Sequence, residues 1–223
     1  MSKGNIKRIL NRVYKPLLKR YLDKERNYIY DGLKLKIAPG VFHPGFFFST
    51  KILIGYLKNI DLKNKTVLEL GAGSGLISLV AAKKGARVTA SDISRKALKN
   101  ILFNQQANHV DMEIIHSDLF QNIPKNLFDV IVINPPYFKG ITRNEDDYAW
   151  YAGEDFEYFQ NLFLQLSSYI HDKTKTVMIL SDDCDIKKIE SIASSKHFKF
   201  HMVYSKKIFW ETNFVFEIKK YSL

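Results

Sequence analysis

The sequence predicts an α/β fold: a mostly parallel sheet with helices on both faces, finished at one edge by an antiparallel pair of strands. Three observations predict it. From residue 66 onward, short apolar runs alternate with stretches of helical periodicity, the signature of successive βαβ units. The runs themselves are apolar with few interruptions, as strands covered on both faces must be. The last two runs, Phe198–Tyr204 and Phe214–Ile218, have no helical stretch between them, which leaves an antiparallel hairpin on the sheet edge.

Length and composition bound the rest. The 223 residues, 46% hydrophobic, suit one domain with a small appendage. No apolar run reaches the ~18 residues needed to cross a bilayer. The N-terminus is charged every few residues and has no secretory apolar core. Cys184 is the only cysteine, so no internal disulfide forms, and a reducing, cytoplasmic setting is expected. Nothing around Cys184 marks it as a nucleophile, and it reads as a structural residue. The formal net charge is +11. Residues 1–36 hold eleven lysines and arginines against three acids, a surplus that suits contact with RNA, DNA or an acidic protein.

Taken in order, Ile6, Ile9, Leu10, Val13, Tyr14, Leu17, Leu18, Tyr21 and Leu22 recur at helical spacing with basic residues opposite, and Pro16 breaks or kinks that helix. Tyr28–Tyr30, Asp31-Gly32 and Leu33–Ile37 read as a β-hairpin with a tight turn. A basic helix and hairpin over 1–38 are therefore expected ahead of a catalytic domain over 39–223. A helix from about Phe46 to Leu57 follows. Strands are expected at Thr66–Leu70, Arg87–Ser91, Met112–His116, Phe128–Ile133 and Thr176–Leu180, with helices near 75–84, 94–106, 155–170 and 184–195.

Two stretches carry chemistry. The first runs from a buried strand through Glu69 into Gly71-Ala72-Gly73-Ser74-Gly75 and then a helix. Glycines there let the backbone turn sharply and let a ligand approach. The next strand ends at Asp92-Ile93, where a carboxylate can accept from both hydroxyls of a ribose. The third ends at Asp118-Leu119, placed for an adenine amino group. Each aspartate alone reads equally well as a helix cap or a turn. Together, on the carboxyl edge of one parallel sheet, they read as a nucleoside site. A dinucleotide loop would cradle a pyrophosphate. Here Glu69 precedes the glycines and no basic residue follows until Lys83, so a cationic ligand such as S-adenosylmethionine fits better than a diphosphate.

The second stretch is Asn134-Pro135-Pro136-Tyr137, at the end of an apolar strand. Prolines stop a sheet, fix the backbone and leave their carbonyls free. The Asn134 side chain and the Pro135 carbonyl then form a rigid pair of acceptors for the two hydrogens of an –NH2 group, with Tyr137 stacked on its plane. Catalysis of an in-line methyl transfer would rest on orientation and fixed dipoles, without metal or covalent intermediate.

The order Glu69 to Gly75, Asp92, Asp118-Leu119-Phe120 and Asn134 to Tyr137 resembles the class I S-adenosylmethionine-dependent methyltransferases that modify amide or exocyclic nitrogens. It is most similar to the HemK/PrmC-type glutamine N-methyltransferases. Two further stretches resemble that family: Gly40-Val41-Phe42-His43-Pro44-Gly45 with Ser49-Thr50, and Trp150 to Phe159. The resemblance implies a three-layer Rossmann-like fold with a seven-stranded sheet whose last strand is reversed. It implies S-adenosylmethionine as cofactor, held by Glu69, Gly71, Ala72, Gly73, Gly75, Asp92, Ile93, Asp118, Leu119, Asn134 and Thr50. It implies catalysis by Asn134, Pro135, Pro136 and Tyr137. The expected acceptor is a protein glutamine, as in a translation factor or ribosomal protein; the alternative is an RNA or DNA adenine, for which Asn-Pro-Pro-Tyr also serves. A non-catalytic cofactor-binding protein and a nicotinamide oxidoreductase fit less well, since neither uses Asn134. His43 reads as a loop histidine without a catalytic part, the other histidines have no metal-ligand spacing, and Glu145-Asp146-Asp147 reads as a solvated loop or a lid.

Overall fold

The computed structural model describes residues 23–143 and 145–221; the basic helix expected over residues 6–22 lies outside them. The chain opens with a hairpin, β1 (Arg26–Tyr30) and β2 (Leu33–Ile37), paired antiparallel through a two-residue turn. Asp31 and Gly32 both have positive φ, 50° and 80°, the turn that matches strand twist and that Asp-Gly favours.

After α1 (Phe48–Leu57) the alternation runs as expected: β3 (Thr66–Leu70), α2 (Leu76–Lys83), β4 (Arg87–Asp92), α3 (Arg95–Ala107), β5 (Glu113–His116) and β6 (Val130–Ile133). A 3₁₀ turn (Glu145–Ala149), α4 (Glu157–Leu166), β7 (Lys175–Ser181), α5 (Ile186–Ser194), β8 (Phe198–Ile208) and β9 (Glu211–Lys220) complete it. The seven-stranded sheet has the order β5-β4-β3-β6-β7-β9-β8, with β7–β9 and β9–β8 antiparallel and the rest parallel. Strand order reverses between β3 and β6, where Leu70 pairs with Ile133. The residues that follow each, Gly71 and Asn134, therefore emerge on adjacent strands, about 5 Å apart in the sheet, at the crevice where open α/β sheets bind ligands.

Side-chain alternation along the strands builds two cores. Val67, Val130, Val132, Val177 and Ile179 face α1, α2 and α3. Leu68, Ile131, Ile133, Met178 and Leu180 face α4 and α5. Leu33, Leu35 and Ile37 of β2 join the first core, so the hairpin packs on the α3 side of the sheet.

A row of asparagines makes that docking specific. Asn108 Oδ1 accepts from Lys34 N–H at 2.9 Å and its Nδ2 donates to Lys34 C=O at 2.8 Å. Asn104 does the same with Lys36, at 2.8 and 2.9 Å. Asn100 accepts from Ala38 N–H at 2.8 Å and donates to Lys36 C=O at 2.6 Å. Four helical residues rise about 6 Å and two strand residues about 6.7 Å, so the two repeats stay in step over three rungs. Three carboxamides on α3 thus act as the neighbouring strand for β2.

Two elements differ from expectation. The β8–β9 hairpin continues to Ile208 and from Glu211, well past the apolar runs, because antiparallel partners satisfy each other's backbone whatever their side chains. The Glu145 segment, expected as a solvated loop or a lid, is wound into a 3₁₀ turn.

Candidate active site at the sheet switch point

The glycine turn is built by the backbone. Gly71, Gly73 and Gly75 have φ of 70°, 54° and 77°. Ala72 N–H donates to Ser91 C=O at 2.9 Å and Gly75 N–H to Ala72 C=O at 2.8 Å, which ties the turn to β4 and to itself. A Cβ placed on Gly71 would meet nothing within 4 Å, and one on Gly73 would meet only Phe42 Cβ, at 3.7 Å. The turn is an open cradle with the 40–45 segment beside it.

Asp92 is buried at the end of β4. Its Oδ2 accepts from Gly73 N–H and its Oδ1 from Ser94 N–H, both at 2.8 Å. Burial pushes its carboxyl upward and these N–H groups oppose the shift. Each oxygen keeps a lone pair for a further donor, as a ribose diol requires. Ile93 is half-buried, and its carbonyl is held by His116 Nε2 at 2.9 Å. Asp118 is exposed at the end of β5, and Leu119 beside it is buried with φ 48°. Tyr158, in the first turn of α4 and within the Trp150 to Phe159 stretch, joins them. Burial first, then the charges of Asp92 and Asp118, push its phenol upward. Thr50 is buried in the first turn of α1. An open glycine cradle ending in a buried carboxylate with spare acceptor capacity fits the nucleoside and cationic tail of S-adenosylmethionine.

Glu69 faces inward. It is 4% exposed, and its Oε2 accepts from Ser78 N–H at 2.8 Å and from Ser78 Oγ at 2.5 Å. It thereby caps the first turn of α2, the helix that the glycine turn opens. Burial pushes its carboxyl up to about 8 despite these bonds. An acid whose folded pKa lies above its unfolded value, here 4.5, binds its proton more tightly when folded, so stability is lost as pH rises from about 4.5 to about 8. Urea unfolding between pH 5 and 8 is expected to show this decline in the wild type and a flatter one in Glu69→Gln, which keeps the hydrogen-bonding shape without the charge; equal slopes would refute it.

At the end of β6, Asn134 is half-buried and Pro135 and Pro136 are buried. Tyr137 Oη donates to Asn134 Oδ1 at 2.8 Å, which fixes which face of the carboxamide carries the oxygen. Sequence reasoning expected Tyr137 as a stacking ring; this bond gives it a second part. Burial pushes the Tyr137 phenol upward, so it stays a neutral donor. Ser49 Oγ, buried without a hydrogen bond of good geometry, stands close enough to that phenol to oppose the shift slightly. Behind them Cys184 accepts from Ser181 N–H at 3.4 Å, and burial pushes its thiol up to about 11, the mark of an inert residue. His43 is buried, accepts from Gly45 N–H at 3.0 Å and packs edge-on to Tyr28; burial lowers its pKa. It organises the loop.

The chain beyond Tyr137 folds back over this crevice. Bridges Phe138–Tyr151 and Gly140–Gly153 pin it. Trp150 packs on Phe42 and Phe47, with ring centroids 5.7 and 5.1 Å apart. Glu145 reaches the N-terminus of α3, where the Ser94 side chain and the Lys96 and Arg95 amides hold its carboxyl below the usual range. On its other side Tyr137 walls a cavity of about 420 Å³ lined also by Phe138, Lys139, Asp155, Asp183, Asp185 and Lys188. Among the described residues no helix is long and apolar enough to cross a membrane.

Comparison with known proteins agrees with this geometry. The family model "Methyltransferase small domain" matches residues 32–150. A protein of Methanocaldococcus jannaschii, provisionally named a protein N5-glutamine methyltransferase, is 39% identical over 63% of this chain and 72% of its own. Other similar proteins, named ribosomal protein L11 methyltransferases and release factor glutamine methyltransferases, are matched over about half their own length or less. Among solved structures, the E. cuniculi Mtq2–Trm112 complex, described as methylating eRF1, superposes with TM-score 0.62 at 21% identity over 82% of this chain and 99% of that one. The T. thermophilus 16S rRNA N2 G1207 methyltransferase with AdoMet and guanosine gives 0.61 at 20% identity, over 86% and 50%. With a glycine cradle, a buried acceptor at β4 and Asn-Pro-Pro-Tyr on the adjoining strand, the chain belongs to the methyltransferase small domain family and is an S-adenosylmethionine-dependent N-methyltransferase.

Proposed function

We propose that this enzyme methylates the side-chain amide nitrogen of a protein glutamine. The observation that carries the reading is the cavity walled by Tyr137, where Asp155, Asp183 and Asp185 outnumber Lys139 and Lys188. A lining with one carboxylate in surplus disfavours a phosphodiester and leaves a neutral amide unopposed. The M. jannaschii relative supports the same acceptor, and the ribosomal-protein and release-factor names among the others support the translation machinery as its source.

S-adenosylmethionine supplies a methyl group on a sulfonium. The residues of the chain hold it and aim the acceptor. Gly71 to Gly75 receive its tail, Asp92 the ribose and Asp118 the adenine amino group, with Ala72, Ile93, Leu119 and Thr50 as walls. Glu69 acts one step back, by fixing α2 behind the turn. Asn134 Oδ1 and the Pro135 carbonyl accept the two amide hydrogens, and Tyr137 keeps Oδ1 turned toward them. Pro136 stiffens the turn. Gripping both hydrogens fixes the amide plane and points the nitrogen along the line of displacement. The basic residues 3–36 are placed by their charge to meet an acidic assembly that presents the substrate.

The test is tritiated-methyl transfer into a lysate divided between RNase and protease treatment. Label that survives RNase, is lost with protease and is recovered as N5-methylglutamine supports the reading. Label lost with RNase moves the same chemistry to an adenine.

A further inference from the structure

The tip of the β8–β9 hairpin takes no part in the cofactor crevice, yet it stands beside the catalytic turn. Asn213 of β9 pairs with Ser181, the last residue of β7. The hairpin then continues beyond the sheet through Lys207–Thr212 and Ile208–Glu211 and turns at Phe209-Trp210. It projects from the carboxyl edge, the edge that carries Asn134. The cavity loop is fastened to it: Asp182 N–H donates to Thr212 C=O at 2.9 Å, and the next residue, Asp183, lines the cavity.

What the tip presents is unusual for a turn. Phe209 is 76% exposed and Trp210 60%. Phe209 holds φ 54°, a conformation that glycine adopts freely and a bulky residue does not. Its ring lies 6.1 Å from that of Phe48 on α1. Lys206 and Lys207 are exposed on β8 just ahead of the turn, one on each face of the hairpin. Two exposed aromatics at the turn, flanked by a lysine on either face of the hairpin, form a tip that a polar solvent does not reward.

We infer that this tip docks the polypeptide bearing the target glutamine, seating an apolar side chain of it on Phe209 and Trp210 and acidic residues of it on Lys206 and Lys207. The inference rests on the glutamine reading above. A polypeptide fits where a nucleic acid does not. Its charge varies along its length, so an acidic segment on the lysines can lead into a neutral one at the aspartate-lined cavity. A polynucleotide carries its charge at every step and meets the surplus carboxylate of that lining.

The experiment uses the full chain and synthetic glutamine peptides flanked by glutamate, alanine or lysine on one side, with tritium transfer as readout. Wild type is expected to prefer glutamate flanks to lysine flanks by about tenfold in kcat/KM. Lys206→Glu with Lys207→Glu is expected to reverse that preference, and Phe209→Ala with Trp210→Ala to raise KM about tenfold for every peptide. Calorimetric affinity for S-adenosylmethionine should stay within about twofold in both, since all four residues are exposed and none belongs to the glycine turn or the carboxylates around it. Transfer into peptides by wild type with unaltered preference and KM in the variants overturns the docking surface and leaves the glutamine reading standing. Failure of every glutamine peptide, with label entering RNA instead, overturns both.

Discussion

Asn134→Ala is expected to lower methyl transfer by about a thousandfold while the protein stays folded and binds cofactor. The size follows from geometry. Truncation removes one of two acceptors that fix the amide plane, and losing a preorganised polar contact of this kind costs about 10²–10³ in rate. Stability should hardly change, because Asn134 is half-buried at a strand end and its recorded side-chain partner is Tyr137. That partner gives the graded control. Tyr137→Phe keeps the ring and loses only the bond to Oδ1, so the carboxamide is free to turn its nitrogen toward the substrate. A loss nearer tenfold is expected, carried by kcat. Single-turnover transfer with saturating cofactor measures both. Equal, small losses in the two variants would mean that Asn134 does not touch the acceptor.

Asn104→Ala is expected to be the most destabilising single change at a polar residue. Asn104 is fully buried, and one side chain accepts from Lys36 N–H and donates to Lys36 C=O and Ser74 C=O. Truncation leaves the Lys36 N–H and the Ser74 carbonyl without partners. Each buried orphan costs about 1–3 kcal/mol, so a loss of about 3–5 kcal/mol is expected, or a melting point about 10 °C lower. Leu102→Ala, half-exposed on the same helix, should cost about 0.5 kcal/mol or less. Thermal melts of the two decide it. Because Ser74 belongs to the glycine turn, cofactor affinity should fall in Asn104→Ala as well.

The parts of the site that were legible in the sequence are those whose chemistry is local. Gly71 to Gly75, Asp92 and Asn134 to Tyr137 each sit at a strand end within a short run, so periodicity alone placed them on one edge of the sheet. Their adjacency needed the strand order, which no local pattern contains. Asn100, Asn104 and Asn108 gave no signal, because a polar residue every fourth position reads as the wet face of α3. Their partners lie 62 to 74 residues upstream. Glu69 was legible as an acid before a glycine turn, but its bonds to Ser78, nine residues on, were not. The long β8–β9 tip was missed because its polar and aromatic residues do not alternate.

The asparagine row also bears on how the chain is made. During synthesis the hairpin of residues 26–37 leaves the ribosome before α3, which later covers Leu33, Leu35 and Ile37 and bonds the outer edge of β2. Among the described residues nothing near it in sequence closes that edge; the carboxamides that do so emerge only with α3. A nascent chain halted before residue 108 therefore carries an open, apolar strand edge, the kind that pairs with its neighbours on a polysome. Completion of α3 is the step that makes the growing chain safe from its own copies.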